Sequence, residues 1–180
     1  MSINIPKKDI SVPDLIAAII FWFLLAAWII VLFYLSSENG TESTERSNNL
    51  LKIFELLFGE GNITETVIRK GAHITEYAIL TFLSFMAVRF TNRISVTGSY
   101  AESPVKLIKS DNEMYITLSL WLSTLTAVVD EYHQLFIEGR NGSIIDVLID
   151  EIGIIVVLII IRIIFSIILA RLGRKELRYE

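Results

Sequence analysis

Residues 15–35 read LIAAIIFWFLLAAWIIVLFYL, a run of twenty-one residues without a formal charge. At about 1.5 Å of rise per residue, such a helix reaches across the roughly 30 Å of hydrocarbon in a bilayer. The run is too long for the apolar region of a cleaved signal peptide. The residues after it, Ser36-Ser37-Glu38-Asn39, lack an Ala-x-Ala pattern. It therefore reads as a retained spanning helix, although Lys7 and Lys8 stand just ahead of it. The rest of the chain agrees with it. Of the 180 residues 53% are hydrophobic, and the mean hydropathy of +0.57 exceeds what a soluble domain of this size needs. Three further apolar stretches give spans at about 14–35, 68–90, 114–137 and 144–170. The expectation is an all-α, polytopic integral membrane bundle of four transmembrane helices, forming a single domain over residues 1–180. A net charge of −4 argues against a nucleic-acid partner. The lack of cysteine removes disulfides, thiolate metal sites and cysteine nucleophiles.

The connections differ in character. Residues 36–67 form a polar, acidic loop around one short apolar stretch at 50–58. That stretch is too short to span and suits a helix in the interface or packed over the bundle mouth. Residues 91–113 form a second polar linker, broken at Ser103-Pro104. The third connection, 138–143, holds two glycines and the turn signal Asn141-Gly142, which makes the last two spans an antiparallel hairpin. Lys and Arg placement sets the orientation. With a cytoplasmic N-terminus, the inside segments hold Lys7, Lys8, Arg89, Arg93, Lys106, Lys109, Arg171, Arg174, Lys175 and Arg178. The outside segments hold only Arg46, Lys52, Arg69, Lys70 and Arg140. Both termini and the 91–113 loop are expected in the cytoplasm, and the 36–67 loop outside. Arg162, inside the last span, is expected to snorkel to the inner interface.

Three polar clusters interrupt the spans: Lys70, His73 and Glu76; Asp130, Glu131 and Gln134; Asp146 and Asp150. Charge inside a bilayer is costly by several kcal/mol and is rarely there without a role. In the expected topology all three clusters fall near the outer surface. Helical spacing of about 100° per residue puts Lys70, His73, Glu76 and Tyr77 on one arc, Gln134 between Asp130 and Glu131, and Asp146, Asp150 and Gly153 on another. Gly153 would let a neighbouring backbone approach closely. Five carboxylates against Lys70 and Arg140 leave a net of −3 if every group is ionised. Protonation, a bound cation or a cationic partner would relieve this. Oxygen ligands from Asp130, Glu131, Asp146 and Asp150 would suit Mg²⁺, Ca²⁺ or Mn²⁺, and His73 would tolerate Mn²⁺ or Zn²⁺.

These residues, in this order, resemble the VanZ-like family. The likeness lies in KGAHITEYAIL at 70–80, DEYHQLF at 130–136, Gly139-Arg140, and DVLIDEIG at 146–153. The family pattern reads K-x-x-H-x-x-E-Y-x-x-L, then D-E-x-x-Q, G-R and D-x-x-x-N-x-x-G. The combination is specific although no single piece is, and it covers about residues 35–157. Asp150 stands where the family usually has Asn, and the 91–113 linker is long for the family, which suggests an insertion on the cytoplasmic side. The resemblance implies a small multi-pass protein of the bacterial cytoplasmic membrane. The family's founding member is associated with resistance to the glycopeptide teicoplanin.

Three function classes remain open on this reading. The first is a binder of a lipid-linked or amphiphilic ligand, an envelope precursor or a glycopeptide, with Lys70, Tyr77, Gln134, Arg140, Asp146 and Asp150 as the binding set and residues 50–58 as a lid. The second is an enzyme on a lipid-linked envelope intermediate, with His73 and Glu76 moving protons and Asp130 and Glu131 activating water or holding a divalent cation. The third is a small proton-coupled transporter. The one-sided placement of the charges weighs against it, because carriers bind near the midplane. His133 falls in a variable slot of the motif and is expected at the surface.

Overall fold

The computed structural model describes residues 11–59, 61, 63–94 and 104–176. Lys7, Lys8, Ser103 and Arg178 lie outside the described residues. The described chain is all-helical: α1 Val12–Ser36, α2 Gly40–Phe58, α3 Glu65–Arg93, α4 Pro104–Gln134 and α5 Ile144–Glu176.

Local chemistry sets the helix ends. Ser11 caps α1, its side chain accepting from the Asp14 N–H, with a proline in the first turn. Asn39 and Glu42 form a reciprocal capping box that starts α2. Thr64 caps α3 by accepting from the Val67 N–H. Pro104 is the first residue of α4. Expected to break the 91–113 linker, it instead opens a helix, because a proline at the first position lacks only an N–H that would be unpaired anyway. Residues 104–113 are thus helical, not linker. At its other end α4 stops at Gln134 rather than near 137, where the chain turns through 135–139.

Among the described residues, three helices are long and apolar enough to cross a membrane: α1, α3 and residues 144–171 of α5. The 31-residue α4 is long enough but more polar, with Thr117, Ser119, Ser123, Thr124 and Thr126 along it. α3 packs against all four other helices. The pairings fix direction. Trp22 Nε1 donates to Thr91 Oγ1 at 2.8 Å, and Trp28 Nε1 donates to the Glu76 carbonyl at 3.0 Å, so α1 runs antiparallel to α3. Thr81 Oγ1 donates to Ser123 Oγ at 3.0 Å, and Asn92 Nδ2 donates to Tyr115 OH at 2.6 Å, so α4 is antiparallel to α3 as well. α5 runs parallel to α3, since Gly153 meets Ile74 and Ala78 while Phe165 meets Phe85.

The interior has the composition of a bundle packed in lipid. Thr81, Ser84, Ala87, Ser119, Ser123 and Ala127 are fully buried. Small residues let helix backbones approach where lipid removes the usual hydrophobic drive, so dispersion and interhelical hydrogen bonds hold the interface. Gly153 is the tightest case. A Cβ there would collide with the Ile74 carbonyl oxygen, as the expectation of close backbone approach required. On α1, Ala18, Leu25 and Leu32 repeat every seven residues and face inward, while Ile16, Ile19, Phe23 and Ile30 stay exposed. An apolar outer face of this extent fits a lipid surround.

The two ends differ. Beside the Ser11–Ile94 backbone hydrogen bond, Arg93 pairs with Asp14 at 3.6 Å. At the same end Arg89 stacks over the Phe165 ring at 4.8 Å. Arg162, within α5, donates to Glu113 Oε1 at 2.8 Å at this same end and ties α5 to α4. The other end carries α2, the α4–α5 turn and the three polar clusters.

Candidate functional site

The polar clusters meet at the α2 end. A cavity of about 310 Å³ is lined by Lys70 and His73 of α3, Glu131 and Gln134 of α4, Arg140 of the following loop, and Asp146 and Asp150 of α5. Gly40, Ser43 and Thr44 of α2 close one side, and Arg69 stands beside Lys70. Seven of the ten residues singled out from sequence therefore border one space.

The carboxylates of α4 are held from within their own helix. Gln134 Nε2 donates to Asp130 Oδ2 at 3.3 Å and to Glu131 Oε1 at 3.1 Å. Offsets of four and three residues make this possible. Glu131 also reaches forward, its Oε2 accepting from the Ser143 N–H at 2.8 Å. Ser143 in turn opens α5, its hydroxyl accepting from the Ile145 N–H at 3.1 Å. Glu131 thus fixes the α4–α5 turn while its carboxylate borders the cavity.

His73 sits between two carboxylates. Its Nδ1 lies 3.8 Å from Glu76 Oε2 and 3.6 Å from Asp150 Oδ1. The Asp150 side chain is 1% exposed, and neither of its oxygens has a hydrogen-bond partner among the described residues. Behind His73 a second, water-sized cavity of about 10 Å³ is bordered by Ser36, Arg46, Glu76, Asp130 and Arg140. His73 and Arg140 line both spaces. Tyr77 is elsewhere. It is wholly buried in the apolar core with Leu25, Leu80 and Ile154, its hydroxyl turned towards Asp130. Among the described residues, no three His, Asp or Glu side chains form a group able to hold a metal ion. Asp130, Glu131, Asp146 and Asp150 share a region without converging on one point.

Arg140 links the loop to α2. Its Nη2 donates to Ser43 Oγ at 2.8 Å. Beside it the Gly40 N–H donates to the Glu138 carbonyl at 3.1 Å, and Gly139 adopts a positive φ of 72°. A Cβ on Gly40 would strike the Gly139 carbonyl oxygen, so the contact requires glycine. Burial, reinforced by the neighbouring Arg46, pushes the Arg140 guanidinium below its ordinary pKa, with Asp130 and Glu38 opposing. A guanidinium in that position gains from an anionic ligand.

Sequence reasoning missed the contribution of α2. The segment that packs on the mouth is its N-terminal half, through buried Ser43 and Ser47. The 50–58 stretch expected as a lid turns Leu50, Ile53, Leu56 and Leu57 outward. On that face Ser43 accepts from Arg140 and Ser47 Oγ donates to the Ser43 carbonyl at 3.0 Å. The Asn39–Glu42 spacing was the available signal, since a capping box there places Ser43, Arg46 and Ser47 on one face. Arg46 pairs with Glu38 at 3.2 Å beside the smaller cavity. His133, expected at the surface, is half-buried, its ring edge-on to Phe33 at 5.8 Å.

No curated protein and no solved structure matches the chain. The family model described as VanZ/LLP1 matches residues 21–166, which include every residue of both cavities. With that match over most of its length, the chain belongs to the VanZ/LLP1 family.

Proposed function

We propose that this chain is a four-span protein of the bacterial cytoplasmic membrane that binds the polar head of a lipid-linked or amphiphilic ligand at its extracytoplasmic end. Both termini are cytoplasmic in this reading. One observation carries it: three helices, a loop and α2 converge on a polar cavity rimmed by Lys70, Arg69 and Arg140. Cations at headgroup depth suit a phosphate or carboxylate, and the exposed apolar helix faces beside them suit an acyl tail. The alternating helix directions and the excess of Lys and Arg at the other end support four crossings.

The biological role proposed is glycopeptide tolerance of the teicoplanin type, by holding an envelope precursor or the antibiotic's acyl chain. The test is teicoplanin tolerance of cells expressing Lys70→Ala or Arg140→Ala at normal protein level. Loss of tolerance is the expected result, and full tolerance in both variants would sink the reading.

A second reading is favoured by His73 standing between Glu76 and Asp150. Two carboxylates flanking an imidazole, with a water-sized space next to it, are an arrangement for proton transfer. In that reading His73 and Glu76 act as acid and base, with Asp130 and Glu131 orienting water or a divalent cation. Near-complete loss of function at His73→Ala, against graded losses across the cavity rim, would favour it over simple binding.

A further inference from the structure

At the extremes of depth the charges of the larger cavity separate by sign. Lys70 is exposed and Arg69 and Arg140 are partly exposed, so they form the rim. Glu131 and Asp150 are buried, and Asp146 is partly exposed, as Arg69 and Arg140 are. Three cations and three carboxylates thus border one space, and the two charged groups buried in it, Glu131 and Asp150, are both acidic. A lone phosphate would satisfy the rim and leave the acidic floor facing another anion. A bare metal ion would have to pass the cationic rim, and the described residues offer it no three-donor group. Asp150 decides between the alternatives. Its side chain is 1% exposed, lines the cavity, and has neither carboxylate oxygen engaged in a hydrogen bond among the described residues. A buried polar group without such a bond carries an uncompensated desolvation cost, which a ligand donor would recover.

We infer that the cavity selects a zwitterion, with a primary ammonium directed at Asp150 and a phosphate or carboxylate held by Lys70 and Arg140. The inference rests on the headgroup-binding reading above and names the class of head. A cavity of about 310 Å³ has room for a phosphoethanolamine-sized group but not for a whole amphiphile. It lies at the small end of the usual ligand-pocket range of about 300–1,000 Å³. The ammonium matters as a donor of N–H groups as well as a charge, so a trimethylated amine should be a poor substitute.

The test is native mass spectrometry of the full chain in detergent, titrated with phosphatidylethanolamine, phosphatidylcholine and phosphatidylglycerol of identical acyl chains. The inference predicts that the ethanolamine lipid binds at least about tenfold more tightly than the other two. Asp150→Asn, of equal size, should erase that preference. Lys70→Ala, at an exposed position, should weaken all three lipids together and leave the preference standing. Equal binding of the ethanolamine and choline lipids, or a preference that survives in Asp150→Asn, would overturn the inference while leaving a headgroup site intact. Failure of all three lipids to bind would overturn the headgroup reading itself. Free phosphoethanolamine distinguishes the source: displacement of the lipid identifies a soluble zwitterion as sufficient, and no displacement identifies a lipid-anchored one.

Discussion

Arg140 is the residue where structure and chemistry meet most directly. It joins the loop to α2 through Ser43 and borders both cavities. The two roles separate by mutation. Ser43→Ala removes one neutral acceptor, and its expected cost is about 1 kcal/mol of folding stability with ligand affinity little changed. Arg140→Ala removes the charge as well, and should lower affinity for an anionic amphiphile by on the order of tenfold or more. Paired thermal-unfolding and binding measurements on the two variants check this. Arg140→Lys should recover only part of the affinity, since an ammonium cannot present the guanidinium fork to Ser43 and an anion together. Glu131 predicts a different outcome. Its carboxylate accepts from Gln134 and from the Ser143 backbone. Glu131→Ala should therefore destabilise the α4–α5 turn and lower the unfolding midpoint, whereas Asp146→Ala should act on binding more than on folding.

Among the elements, the α3–α5 contact is the most sharply specified. Gly153 against the Ile74 carbonyl leaves no room for a methyl group. Gly153→Ala should cost about 1–3 kcal/mol, read as a lowered unfolding midpoint in detergent. An unchanged midpoint would mean that the two helices are further apart. Trp28 offers a companion test on α1. Trp28→Phe loses the indole bond to the Glu76 carbonyl and should cost about 1 kcal/mol. What the sequence revealed follows element type. α1 and α5 were legible because long, strongly apolar runs have few alternative fates. Gly153 was legible because it shares a helical face with Asp146 and Asp150. Pro104 was misread, because a proline after a polar linker signals a break and a helix start alike. The packed face of α2 was not read, because Ser43 meets Arg140, a residue far away in sequence.

For the whole molecule, the informative step was placing three distant clusters at one end by alternating the direction of the spans. The observed pairings of α3 with α1, α4 and α5 give that arrangement. Sequence spacing could not divide the polar residues between two cavities, nor send Tyr77 into the core, because that division depends on how deep each helix face sits against its neighbours. The absence of cysteine allows the arrangement to be tested without background reaction. The direct measurement is labelling of Lys70→Cys, Asp146→Cys and Glu113→Cys single variants with a membrane-impermeant thiol reagent in intact cells. Lys70→Cys and Asp146→Cys should both react from outside, and Glu113→Cys only after the membrane is opened. Reaction of Lys70→Cys and Asp146→Cys from opposite sides would contradict a shared extracytoplasmic site.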